Sequence, residues 1–291
     1  MRIVDCFAQN RPVCSFEFFP PKTDDGVRNL LRTISNLGEL DPSFVSVTYG
    51  AGGTTRDLTV ELVARIKREI GLEAMAHLTC VGHSAAEIGS TLDRLQRHGI
   101  ENVLALRGDP PQGETQFVRA ADGFGYAQEL VRFIRAGYDF CLGGACYPEG
   151  HMECASKQED LRHLKEKADA GVDFLITQLF FDPSDYFRFV ADARAIGVGV
   201  PILPGIMPVT NVGQIERFTA MCGASIPPPL QDRLNRVRDD EAAVVSVGVE
   251  WATEQVLSLL EGGAPGVHFY TLNRSTATRR VFENLRARHA V

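Results

Sequence analysis

The chain has 291 residues, 44% of them hydrophobic, and a formal net charge of −7. That length suits one large domain or two ordinary ones, and an α/β barrel of about 250 residues would fill it as one. The basic residues are scattered with no Lys/Arg run and no basic-aromatic stripe, which argues against nucleic acid as a partner. No uninterrupted apolar run approaches the roughly 20 residues of a membrane span. The amino terminus, MRIVDCFAQNRP, has an early charge and no apolar core, so it does not read as a secretory signal. The chain is therefore expected to be cytoplasmic, with its seven cysteines as free thiols.

Apolar strand-like runs alternate with helical patterns. Val13–Phe19 is the first strand, stopped by Pro20-Pro21. A helix over Gly26–Leu40 follows, with Leu30, Leu31, Ile34 and Leu37 at helical spacing. Then come Phe44–Gly50 and a helix over Arg56–Ile70, and Glu73–Cys80 and a helix over Ala85–His98. Asn102–Asp109 precedes a loop and a helix near Tyr126–Ala136; Phe140–Glu149 precedes Lys157–Ala170; Phe174–Phe181 precedes Ser184–Ile196. Pro201–Pro208 leads to Asn211–Cys222, and an irregular stretch through Ile226-Pro-Pro-Pro leads to a helix over Ala242–Leu260. Val267–Asn273 and a helix over Thr276–His289 close the chain. About eight strands, each with a helix after it, predict parallel pairing and a closed α/β fold, a (β/α)8 TIM barrel in a single domain over residues 1–291.

In such a barrel the reactive face lies at the C-terminal strand ends. Those ends are polar here: Glu17, Thr48 and Tyr49, His77 and Thr79, Arg107 and Asp109, Tyr147 and His151, Gln178, and Asn273 with Arg274. On the first strand, Ser15, Glu17 and Phe19 share one face and Phe16 and Phe18 the other. A carboxylate among phenylalanines is costly to bury charged, so the pKa of Glu17 is expected to rise, which makes it a candidate proton donor. The plainer alternative is an edge-strand glutamate facing water. His77 could equally be a hydrogen-bonded core histidine, and Arg107 with Asp109 a structural ion pair. Glu17 and Asp109 as a two-carboxylate site would also suggest glycoside hydrolysis. The mouth lacks a Trp-rich sugar platform, since the only Trp is Trp251 in a helix.

Gly50–Thr55 follows a strand and opens a helix, so its amides could cradle a phosphate. It departs from G-x-G-x-x-G at Thr55, and taken alone it reads as a flexible loop. Cys141 and Cys146 differ by an odd number on one strand and so point to opposite faces, and no C-x2-C spacing is present. No metal site is expected. Phe180, Phe181 and Phe218 read as core, with one of them free to stack on a planar ligand.

The motifs SFEFFPPK, FVSVTYGAGG, HLTC, LALRGDPP, YPE-x-H, ITQ-x-FFD, PGIMP and HFYTLNR run in order over nearly the whole chain. Together they resemble the methylenetetrahydrofolate reductase family. The resemblance is to its short bacterial form, a flavin-dependent (β/α)8 barrel with no regulatory domain. It implies reduction of 5,10-methylenetetrahydrofolate to 5-methyltetrahydrofolate through bound FAD, with NADH or NADPH as donor, feeding methionine synthesis. It also implies Glu17 as general acid and Asp109 as the carboxylate beside flavin and pterin. Thr48, Tyr49, Ala51, His77, Arg107, Gly108, Asp109, Tyr126, Ala127, Tyr147, His151, Asp160, His163 and Lys167 look like the FAD positions. Gln178, Gln214, Phe218 and Arg274 look like contacts to folate or nicotinamide. The partners implied are these small molecules and further copies of the chain in a homo-oligomer. Two other readings stay open: a folate-binding barrel that passes a methyl group to a corrinoid protein, and a non-catalytic subunit of a larger folate complex.

Overall fold

The computed structural model describes residues 1–49, 55–110, 117–274 and 276–291. Strands and helices alternate as β1 Val13–Phe18, α1 Asp24–Gly38, β2 Phe44–Val47, α2 Arg56–Arg65, β3 Ala74–Thr79, α3 Ala85–Arg97, β4 Asn102–Leu106 and α4 Ala127–Gly137. They continue as β5 Cys141–Cys146, α5 Lys157–Asp169, β6 Phe174–Thr177, α6 Pro183–Ala195, β7 Ile202–Leu203 and β8 Gly205–Ile206. The remainder is α7 Val212–Cys222, α8 Pro228–Arg236, α9 Glu241–Glu261, β9 Gly266–Tyr270 and α10 Thr276–Ala287. Every strand pairing is parallel. Side-chain caps fix several helix starts: Ser84 and Glu87 form a reciprocal capping box, and Thr23, Ser156, Asp182, Asn211 and Asp240 each accept from a first-turn amide.

The strand order is β7-β6-β5-β4-β3-β2-β1-β9-β8. The run expected as one strand over Pro201–Pro208 is divided by Pro204, which has no amide to donate. Its first half pairs with β6 and its second half with β9. The two halves occupy one staggered place in the ring, and the barrel closes there. The Pro204 carbonyl accepts from His268 N at 2.9 Å, and Gly205 N donates to Thr177 Oγ1 at 2.9 Å. A Cβ on Gly205 would lie 2.4 Å from the Thr177 carbonyl oxygen, so this closure requires glycine. The (β/α)8 expectation is met, with the seventh strand position built from two pieces.

Strand alternation sorts the side chains into two cores. Cys14, Phe16 and Phe18 pack outward under the helices. Val13, Phe44, Met75, Leu104, Cys141 and Phe174 fill the lower lumen. Cys141 and Cys146 fall in different cores, as their odd spacing requires. A 3-10 helix over Ile3–Ala8 plugs the N-terminal end of the lumen with Ile3, Cys6 and Phe7. It is pinned by Ile3 N donating to Asn102 Oδ1 at 2.8 Å. Among the described residues one helix, α9, is long and apolar enough by length and composition to cross a membrane, although Glu250 and Glu254 interrupt it. Here it lies in the outer ring with Val249, Ala252, Val256 and Leu259 buried against the barrel.

Candidate active site

Above the apolar plug the lumen turns polar. Glu17 on β1 places Oε2 3.3 Å from His268 Nε2 on β9 and 3.3 Å from His77 Nε2 on β3. The side chains are 17%, 0% and 6% exposed respectively. The His268 contact is a hydrogen bond; the His77 contact lies outside hydrogen-bonding alignment. The other ring nitrogen of His268, Nδ1, sits 2.7 Å from Ser15 Oγ, and Phe44 stacks on its ring at 6.1 Å. Ser15, Glu17 and His268 face the same lumen because β1 and β9 are in register, Ser15 opposite His268 and Glu17 opposite Tyr270. Ser46, the β2 register partner of Glu17, presents a buried hydroxyl without a hydrogen-bond partner among the described residues.

The expected rise in the Glu17 pKa is reversed. Burial does push the carboxyl upward, but the charges of His77 and His268 and their contacts to Oε2 outweigh it and hold the group at about 2. The sequence reading weighed the phenylalanines flanking Glu17 along its own strand. Phe16 and Phe18 point to the outer core, and the neighbours that matter are imidazoles from strands far away in sequence.

The positions expected to hold FAD mostly gather on the β3–β5 side. Gly108, at φ +88°, lets the chain turn directly over Thr79 and Val81; a Cβ there would lie 2.9 Å from Thr79 Cβ and 2.8 Å from Val81 Cγ1. Arg107 does not pair with Asp109. It forks onto Glu153, Nη1 to Oε2 at 2.5 Å and Nη2 to Oε1 at 2.7 Å, and stacks over Phe117. Asp109 is exposed. Tyr147 meets His151 edge-on at 4.6 Å. Asp160 accepts from the His151 amide at 3.3 Å, and burial raises its pKa. Lys167 reaches in to donate to the Ala145 carbonyl at 2.5 Å, and burial lowers its pKa. Tyr126, at the start of α4 before buried Ala127, stacks on His163 at 5.8 Å. Tyr147, Asp160, His163 and Lys167 line a small cavity of about 20 Å³. A larger hollow of about 500 Å³ lies between α5 and α6 on the outer surface, away from these groups.

Thr48 joins the mouth, its amide bonded to Phe18 O at 2.8 Å. Tyr49 does not: its ring is in the outer core, 3.4 Å through its hydroxyl from His83 Nε2. Ala51 lies outside the described residues. On the β6–β8 side, Gln178 bonds its own loop through Oε1 to Leu179 N at 2.8 Å. Gln214 and Phe218 follow one another a turn apart on α7, and Phe218 joins a cluster with Leu179, Met207, Tyr270 and Leu272. Arg274 is exposed just after β9. Phe180 and Phe181 are core. His268 and Ser15 fall outside the expected site because they lie mid-strand, below the strand ends. Their lumen parity with Glu17 and Tyr270 was the available signal.

The residues fit a flavin dinucleotide. Thr79 Oγ1 and His77 Nε2 are buried without a hydrogen-bond partner among the described residues, at the level where Gly108 brings the backbone close. Arg107 at the exit of β4 and Asp160, His163 and Lys167 on α5 supply charged and hydrogen-bonding groups on the same side of the barrel.

Fold and site together define a (β/α)8 barrel with polar and charged groups gathered at its C-terminal strand ends. The family model described as methylenetetrahydrofolate reductase matches residues 2–286. "Methylenetetrahydrofolate reductase (NADH) 1" of Arabidopsis thaliana is 41% identical over 300 residues, which cover 98% of this chain and 51% of that protein. "5,10-methylenetetrahydrofolate reductase" of Escherichia coli (strain K12) is 39% identical over 274 residues, covering 94% of this chain and 90% of that protein. The Pectobacterium carotovorum protein of the same name is 39% identical, covering 96% and 92%. The chain thus spans about half the length of its plant relatives and about nine-tenths of its bacterial ones. A solved structure described as an uncharacterized Clostridium thermocellum protein that binds two copies of 5-methyl-5,6,7,8-tetrahydrofolic acid shares the fold, with a TM-score of 0.64 at 19% identity over 96% of this chain and 95% of that one. This chain belongs to the methylenetetrahydrofolate reductase family.

Proposed function

We infer that the chain reduces 5,10-methylenetetrahydrofolate to 5-methyltetrahydrofolate, with FAD bound along the β3–β5 side and NADH or NADPH as the electron donor. The single observation that carries the reading is a carboxylate held between two imidazoles under the mouth of a barrel of this family. When bound, the flavin supplies hydride transfer, taking it from nicotinamide and giving it to folate in two alternating visits to one site. The chain's own groups do the rest. Arg107, His151, Asp160, His163 and Lys167 hold and orient the dinucleotide. Gln178, Gln214, Phe218 and Arg274 position whichever planar ligand occupies the mouth.

Opening the methylene bridge of folate needs a proton on the departing nitrogen and leaves an iminium cation on the carbon. A carboxyl held at about 2 stores no proton of its own at neutral pH. Glu17 therefore acts as a relay, taking up a proton from water at the mouth and handing it to the departing nitrogen of the ligand above. Exposed Asp109, at the exit of β4, gives the iminium a negative neighbour.

A spectrum of the purified protein tests this. It is expected to be yellow, to bleach with NADH or NADPH under anaerobic conditions, and to recover its colour on adding methylenetetrahydrofolate. Heat is expected to release FAD; FMN alone would contradict the dinucleotide assignment. A colourless protein that binds folate would favour the methyl-transfer reading.

A further inference from the structure

The β9–α10 connection is strained and tightly fastened. Leu272 and Asn273 both have positive φ, 51° and 59°, and Arg274 N donates to Thr271 O at 2.9 Å. Two successive left-handed residues closed by that bond are the signature of a type I′ turn, which favours Asn-Gly over a bulky leucine. Strain of this kind persists where the surroundings over-determine it. Here the turn is fastened to the exit of β1. Thr271 Oγ1 donates to Glu17 O at 2.6 Å. Phe19 N donates to Asn273 Oδ1 at 2.9 Å, and Asn273 Nδ2 donates back to Phe19 O at 2.8 Å. Leu272 packs into the cluster that contains Phe218 and Tyr270.

The residue so gripped is an exposed aromatic. Phe19 is 43% exposed, two positions beyond Glu17 and on the same strand face. Buried Pro20 behind it restricts its backbone to extended conformations. The clamp grips the Phe19 backbone, and so fixes the point on the β1 exit from which the exposed ring projects.

We propose that Phe19 is a ligand-contacting specificity residue, the aromatic wall on which the fused-ring head of a folate packs, and that Asn273 is the positioning residue that holds it. This rests on the function inferred above. The role of Asn273 runs entirely through Phe19, so the two are coupled.

The test uses the full chain with its flavin and follows folate reduction. F19A is expected to raise the KM for methylenetetrahydrofolate about tenfold with kcat changed less than about twofold. F19Y, which keeps the ring, is expected to restore wild-type KM. N273G suits the left-handed backbone yet removes the clamp, and is expected to raise the same KM about threefold without loss of thermal midpoint or flavin content. The F19A/N273G double variant is expected to match F19A alone. Wild-type turnover with an unchanged KM in F19A, or fully additive effects in the double variant, would overturn the proposal. Wild-type protein without folate turnover would instead overturn the reading beneath it.

Discussion

Nε2 of His268 and Oε2 of Glu17, 251 residues apart in sequence, meet at 3.3 Å inside the barrel. The ring cannot swing away, because Ser15 Oγ holds its other nitrogen at 2.7 Å and Phe44 stacks on its face. Glu17 is therefore one end of a braced unit, and its proton affinity is set by burial, which raises it, against His77 and the enclosed His268, which together lower it further.

Glu17→Gln separates the two visits to the site. Gln keeps the size and much of the hydrogen bonding but cannot deliver a proton. Reduction of flavin by nicotinamide is expected to change little, while folate reduction falls by at least about 100-fold. Stopped-flow spectroscopy follows bleaching and recovery of colour separately. Equal losses in both would make Glu17 structural.

His268→Gln removes an imidazole that lowers the Glu17 carboxyl. The carboxyl is expected to titrate at higher pH than in the wild type, read by isotope-edited infrared spectroscopy of the carboxylate band. Folate reduction is expected to slow while flavin reduction by nicotinamide holds. An unmoved carboxyl titration would show that His268 does not set its charge.

Acid stability carries the same signature. The Glu17 pKa is lowered from 4.5 to about 2 on folding, so its stabilising contribution is present above about 4.5 and is lost as pH falls toward 2. The difference in urea stability between wild type and E17Q is expected to be constant from neutral pH down to about 5, then to shrink below the unfolded-state value of 4.5. A gap that widens in acid would contradict the lowered value.

Gly108→Ala places a methyl group 2.8 Å from Val81 Cγ1 on a backbone at φ +88°. It is expected to cost about 1–3 kcal/mol in urea denaturation and, on the function inferred above, to weaken flavin binding. Unchanged stability and unchanged flavin affinity would show that the β4 exit relaxes freely.

The alternation of apolar runs with helical patterns was enough to read the barrel, because each parallel strand is buried on both faces. Helix α8 was hidden by Pro228 and Pro229, which look like breakers but sit in the first helical turn, where proline costs no hydrogen bond. Pro204 hid the division of a strand for the opposite reason, since the flanking residues kept the pattern apolar. At the site, Glu17 was legible from its face and its place before Pro20-Pro21. Its charge state was not, because proton affinity depends on residues brought together by closure of the ring rather than by sequence spacing. The Arg107–Glu153 fork was invisible for the same reason: it joins two loops 46 residues apart.

The plug formed by Ile3, Cys6 and Phe7 makes the lumen a vessel with one opening. Ser15, His268, Glu17 and His77 all lie above that plug, so a ligand that meets Glu17 comes and goes by the same door, and two ligands that share the chamber take it in turn.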